Sequence, residues 1–172
     1  MNETEKRIIQ LIDEHREELI AMGNELYTRA ERGFAEVNTS AFIADKLKKL
    51  GLNVQTGLAG TGLRASAGKE GGVNVALISE LDGILCPSHP QAAPDGMSHA
   101  CGHHAQMTAM LGAAIALTCP EVAAELDGQA TFSLSPRKNF SAKISAADSG
   151  RKYLHPLRRK GGADLPRLFQ GY

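Results

Sequence analysis

The sequence predicts an α/β fold in which helices pack on a sheet. Three observations carry this expectation. Apolar residues recur at helical spacing near the N-terminus, an apolar run at Val73–Ile78 follows two alternating runs, and a small-residue helix follows a Pro- and Gly-rich loop. The order helix, helix, strands, helix, strand is that of an α/β sandwich.

Each element has a local reason. Ile8, Leu11, Ile12, Leu19, Met22 and Leu26 lie at helical spacing, so the first segment reads as an amphipathic helix with Gly33 near its end. Asn2 and Glu5 form a capping pair. A second helix is expected to start after Asn38, Thr39 or Ser40. Ile43, Leu47 and Leu50 make its apolar face, Lys46, Lys48 and Lys49 its polar one, and Gly51 its stop. Leu52, Val54 and Thr56 alternate with polar residues, as do Leu63, Ala65 and Ala67, which predicts two strands. Val73–Ile78 is apolar enough for a central strand. The loop from Asp82 to Ala100 holds Pro87, Pro90 and Pro94. After it come a helix over about His103–Leu117, a short helix from Pro120 to Leu126, and a strand from Gln129 to Leu134.

Composition removes several function classes. The 172 residues carry 19 Lys+Arg and 19 Asp+Glu, so a uniformly basic nucleic-acid binder is not expected. Trp is absent and aromatic residues are 5%, too few for base-stacking platforms. No run approaches 18 apolar residues, so no transmembrane helix is expected. The polar N-terminus lacks a signal-peptide pattern. Three cysteines do not make a disulfide framework, and a reducing cytoplasm is the simplest compartment. The neutral total hides a division. Residues 1–135 hold 10 Lys+Arg against 17 Asp+Glu, a balance of −7, and the remainder holds 9 against 2, a balance of +7. Residues 1–134 therefore read as part of one folded domain. Residues 135–172 read as a basic tail without period, expected to be disordered.

The densest chemistry is His99-Ala100-Cys101-Gly102-His103-His104, where a loop opens a helix. Imidazole and thiolate suit Zn²⁺. Upstream, Glu80 and Asp82 close the best strand, and in extended backbone both point to one side. Carboxylates at a strand's C-terminal end beside a Cys/His helix start are placed where α/β sheets keep their sites. A thiol nucleophile, Cys101 with His103 or His104 as base, is a second arrangement of the same residues. Cys86 and Cys119 read as small buried residues, His15 as a helix boundary residue, His89 as ambiguous, and His155 as exposed.

Five segments carry a family resemblance: Glu31-Arg32-Gly33-Phe34-Ala35-Glu36 with Thr39-Ser40, Gly60-Thr61-Gly62-Leu63, Ala76-Leu77-Ile78-Ser79-Glu80-Leu81-Asp82, Ser98 through Gln106, and Ala109 through Ala114. In order and gaps, residues 5–134 resemble the N-terminal part of the zinc-dependent peptidase and amidohydrolase family that includes aminoacylases, hippurate hydrolase, auxin-conjugate hydrolases and carboxypeptidase G. The resemblance implies a partial zinc-peptidase-like α/β/α sandwich, an incomplete catalytic domain. It implies two metals, Zn²⁺ or Mn²⁺, with Cys101 and His103 as metal ligands and Asp82 as catalytic support behind them. It also implies hydrolysis of amide bonds in N-acyl amino acids or small peptides, and a homodimeric parent protein, with no nucleic-acid or membrane partner.

Three departures stand out. Ile78-Ser79-Glu80 replaces the family's Arg-Ala-Asp, and His104 stands where Asp is common. After Leu134 the family continues Pro-Ala-Glu-Glu, with a general base and a metal ligand, whereas this chain reads Ser135-Pro136-Arg137-Lys138-Asn139-Phe140. A neighbouring reading frame of those codons can spell Pro-Ala-Glu-Glu-Phe, so the expectation is a frameshifted and truncated family member, inactive or nearly so alone. The competing expectation is a non-catalytic fragment that retains metal binding or associates with another chain.

Overall fold

The structure, a computed structural model, describes residues 1–136. The tail from Arg137 onward, with His155, lies outside the described residues. Five helices and six strands follow in the order α1 (Glu3–Glu14), α2 (Arg16–Tyr27), α3 (Val37–Lys49), β1 (Gln55–Leu58), β2 (Gly62–Gly68), β3 (Val73–Glu80), β4 (Ile84–Leu85), β5 (Met97–Ser98), α4 (His103–Thr118), α5 (Pro120–Glu125) and β6 (Gly128–Ser135). The α/β class is as expected.

The N-terminal capping box closes. Glu5 N–H donates to Asn2 Oδ1 and Asn2 N–H to Glu5 Oε2, both at 2.8 Å. The segment is nevertheless two helices. At His15 the backbone leaves helical values (φ −97°, ψ 11°), and the ring Nδ1 lies 2.9 Å from the Leu11 carbonyl oxygen. A side chain reaching back to that carbonyl competes with the main-chain ladder and bends the helix. α3 begins at Val37, ahead of the expected start, because its cap is not local. The Glu31 carboxylate accepts from Asn38 N–H at 3.2 Å and Thr39 N–H at 2.7 Å, and it also faces the positive end of the helix dipole.

The main sheet has the order β1-β2-β6-β3. β2 runs antiparallel to β6, while β3 runs parallel to β6 in register from Val73↔Gly128 to Glu80↔Ser135. Leu63, Ala65, Ala130, Phe132 and Leu134 point to one face. Leu26, Ile43, Leu47, Met107 and Leu111 cover them from α2, α3 and α4. The other face is polar: Ser66 and Thr131 hydroxyls meet at 3.1 Å, and Thr131 donates to Asn74 Oδ1 at 2.9 Å. Among the described residues β3 lies at the end of the sheet order rather than in its middle. Among the described residues it pairs with β6 alone, and Val73, Val75 and Ile78 are 74%, 60% and 57% exposed.

The expected strand at Leu52–Thr56 lies further along, at Gln55–Leu58, while Leu52 and Val54 pack against the core just ahead of it. The Pro loop contains the short antiparallel pair β4–β5. Cys86 and Cys119 are half-buried rather than buried, Cys86 in that loop and Cys119 at the junction of α4 and α5.

Candidate metal centre

The site forms where β3 ends. Leu81, fully buried, extends the pairing through its N–H to the Ser135 carbonyl at 2.9 Å, which fixes the chain direction on either side of it. Gly83 then passes close to two neighbours, since a Cβ there would lie 2.9 Å from Ala30 Cβ and 2.9 Å from the Ser98 carbonyl oxygen. Its N–H donates to the Glu31 carbonyl at 2.7 Å. Only glycine permits this approach, and the approach holds Asp82 beside the loop that opens α4. On the other side Gly102, at φ +85°, turns the chain into α4 so that His103 is its first residue.

Glu80, Asp82 and His103 converge, with one ligand atom from each within 4.8 Å of the others. His103 Nε2 lies 2.7 Å from Glu80 Oε2. His103 Nδ1 lies 3.0 Å from Asp82 Oδ1 and 2.7 Å from the Asp82 main-chain oxygen. The two carboxylates therefore face one side, as the strand geometry predicted, and grip opposite nitrogens of one ring. The Asp82 carboxylate holds the His103 imidazole above its usual pKa, against burial, with Glu80 adding to the effect. Carboxylate and imidazole donors together suit Zn²⁺ or Mn²⁺.

Cys101 stands outside that group and is exposed. Desolvation pushes its thiol up, against the His103 main-chain N–H that pulls it down. A raised thiol pKa weakens the nucleophile arrangement, which needs thiolate. His99 is buried at 1% exposure, and burial with the neighbouring His104 and His103 lowers its pKa to about 4. His104 lies against Tyr27, ring centroids 4.6 Å apart, and Tyr27 OH is 3.5 Å from His89 Nε2.

Glu36 was not singled out from the sequence as a site residue. It is fully buried, and its Oε2 accepts from the Thr61 hydroxyl at 2.5 Å. Its only sequence signal is its place in a segment that carries the family resemblance. Burial raises its pKa, with the Asp82 charge adding to the shift. An acid whose folded pKa lies above its unfolded one favours folding below the unfolded pKa, and that contribution is lost as pH rises through the folded value. Glu36→Gln, which carries no charge to bury, is therefore expected to gain stability relative to the wild type at pH 7.5. The gap should close as pH falls toward the ordinary glutamate range. Urea midpoints at the two pH values check this, and a gap that does not change with pH contradicts it.

No family model matches the chain. It is 35% identical over 104 residues to a Rhodococcus jostii protein named for glutamate–cysteine ligase, covering 58% of this chain and 13% of that one. It is 30% identical over 129 residues to IAA-amino acid hydrolase ILR1-like 5 of Arabidopsis thaliana, covering 72% of this chain and 29% of that one. It superposes on the YxeP protein of Bacillus subtilis, described as a dinuclear metal-binding peptidase of the M20 family, with a TM-score of 0.67 and 26% identity. The chain is a relative of the M20 peptidases. That match covers 79% of this chain and 41% of YxeP, and the chain spans less than a third of the curated relatives named above. The M20 likeness is in keeping with the candidate metal-ligand group at the end of β3. No helix among the described residues is long and apolar enough to cross a membrane.

Proposed function

We propose that the chain holds a divalent cation, Zn²⁺ or Mn²⁺, on Glu80 and His103, with Asp82 orienting the His103 ring, as part of a centre that hydrolyses amide bonds of N-acyl amino acids or small peptides. The observation that carries this reading is the convergence of three donor atoms within 4.8 Å at the end of β3. Asp82 takes His103 Nδ1 with both its side chain and its main chain, so the ring is oriented and Nε2 is left on the Glu80 side as the cation-facing nitrogen. Cys101, two residues before His103, is the further ligand that the family resemblance adds. A bound ion lowers the pKa of water and polarises an amide carbonyl. The resemblance puts the proton-accepting glutamate where this sequence has Ser135-Pro136-Arg137-Lys138, so turnover by this chain alone is expected to stay near background. The three free cysteines fit a reducing, cytoplasmic setting.

Thermal unfolding with and without cation tests the proposal. A ligand that binds only the folded state stabilises it by about 2.7 kcal/mol at a hundred times its Kd. Zn²⁺ or Mn²⁺ is expected to raise the Tm of the wild type by several degrees and that of Glu80→Gln by much less. Equal shifts in both proteins contradict the assignment. A second reading, association with another polypeptide along β3, is favoured by the exposed Val73, Val75 and Ile78 on a strand that pairs on one side only among the described residues.

A further inference from the structure

The two outer edges of the main sheet are unlike. β1 is four residues long, and its register with β2 shifts between Thr56 and Leu58. β3 is eight residues long, keeps an unbroken register with β6 from Val73 to Glu80, and pairs on one side only among the described residues. Sheet edges are ordinarily blunted by shortness, bulges, Pro or charge. β1 has the first two, whereas Val73 to Ser79 contains no Pro and no charged residue.

The groups that β3 offers at its open edge follow from one bond. Leu81 N–H donates to the Ser135 carbonyl, and successive residues of a strand turn their N–H and C=O to opposite edges. The odd residues from Val73 to Leu81 therefore serve β6, and Asn74, Ala76 and Ile78 present their N–H and C=O to the open edge. Side chains alternate between the faces in the same way. Val73, Val75 and Leu77 line an apolar groove with Leu117, Leu126 and Ala130.

β3 is complementary to itself. In an antiparallel pair the register that uses Asn74, Ala76 and Ile78 alone sets Ala76 opposite its own copy and Asn74 opposite Ile78 of the second copy. Each of these pairs exchanges both bonds, so no edge N–H or C=O of the three residues is left unmet. Val75 then lies beside Leu77 of the second copy at the closer, non-hydrogen-bonded spacing, and the two apolar grooves join. No like charges oppose, and Glu80 stays outside the paired set.

We propose that two copies of this chain associate along β3, antiparallel and two-fold symmetric about Ala76, into one continuous sheet. Its outer edges are then the two short, bulged β1 strands, so assembly closes at two. The inference rests on the reading of β3 as an association edge and commits that edge to a second copy. The paired strands and joined grooves cover on the order of 1,000 Å², the low end for a specific interface, so the dimer is reversible.

Sedimentation velocity of the full chain over a concentration series, with amide hydrogen exchange at its two ends, tests this. A monomer-to-dimer transition is expected. The amides of Asn74, Ala76 and Ile78 should slow as the dimer forms, while those of Val75 and Leu77 are slow throughout. Ala76→Pro deletes an N–H that faces the open edge, where Pro is tolerated. Losing the two bonds across the axis is expected to weaken the dimer about 10–100-fold. Val75→Lys places a charge in the joined grooves and should act in the same direction. It decides the matter if circular dichroism shows that Ala76→Pro does not fold. Ile9→Lys, at an exposed position on α1, is expected to leave the dimer unchanged.

A dimer that survives both β3 variants overturns the inference, and so does a monomer at every concentration. In that monomer, freely exchanging amides at Asn74, Ala76 and Ile78 leave the edge open to a different polypeptide, whereas protection that does not vary with concentration removes that reading as well. The cation test on Glu80→Gln reads out separately from either result.

Discussion

Phe132→Ala is expected to destabilise the chain by about 3–5 kcal/mol, the range for emptying a buried aromatic site. Phe132 is fully buried on β6, the strand that joins β2 to β3. Its register partners are Ala65 on one side and Leu77 on the other. Leu26, Ile43, Leu47, Met107 and Leu111, from three helices, belong to the same core cluster. The small neighbour Ala65 cannot collapse into the space, which puts the cost toward the upper end. Phe132→Leu keeps most of the volume and is expected to cost under about 1.5 kcal/mol. Urea unfolding of both variants checks the pair. An alanine variant within 1 kcal/mol of the wild type, about the floor of ordinary core effects, contradicts this account of the core.

His103→Ala is expected to weaken divalent-cation binding at the end of β3 by about 100-fold or more, since even the loss of a group that only orients a ligand costs about 10–100-fold. The variant removes a donor and also the group that both carboxylates grip, Glu80 at 2.7 Å and Asp82 at 3.0 Å. A buried Asp82 and a half-buried Glu80 left close together repel, so the variant is also expected to lose stability at neutral pH. His103→Gln keeps the volume and separates the two effects: affinity stays low while stability recovers in part. Competition against a chromophoric chelator measures the affinity. Unchanged affinity in both variants contradicts the ligand assignment.

Much of this was legible in the sequence, for physical reasons that differ between elements. β2, β3, α4 and β6 lie where alternation or small-residue patterns and flanking glycines put them, because burial on a shared face sets their period. Glu80 and Asp82 face one side because strand geometry demands it, and His103 meets them at the start of α4. Non-local causes were not legible. The cap of α3 is Glu31, seven and eight residues before the amides it serves. The break at His15 depends on a ring bonding back to Leu11. The burial of Glu36 against Thr61 links a loop to a β-turn 25 residues away, which no local pattern records. β4 and β5 are two residues each, too short to show a period. The nearness of His99 to His104 depends on the positive φ of Gly102, a single backbone choice between them.

The central claim is that His103, oriented by Asp82, holds a cation with Glu80. Imidazole ¹H–¹⁵N correlation spectra of the cation-free chain during Zn²⁺ addition test it most directly. The account predicts that His103 Nδ1 stays protonated and bonded to Asp82 while the Nε2 resonance moves to a metal-bound position and saturates. A His103 ring whose two nitrogens do not respond to saturating Zn²⁺, in a chain that remains folded, would contradict it.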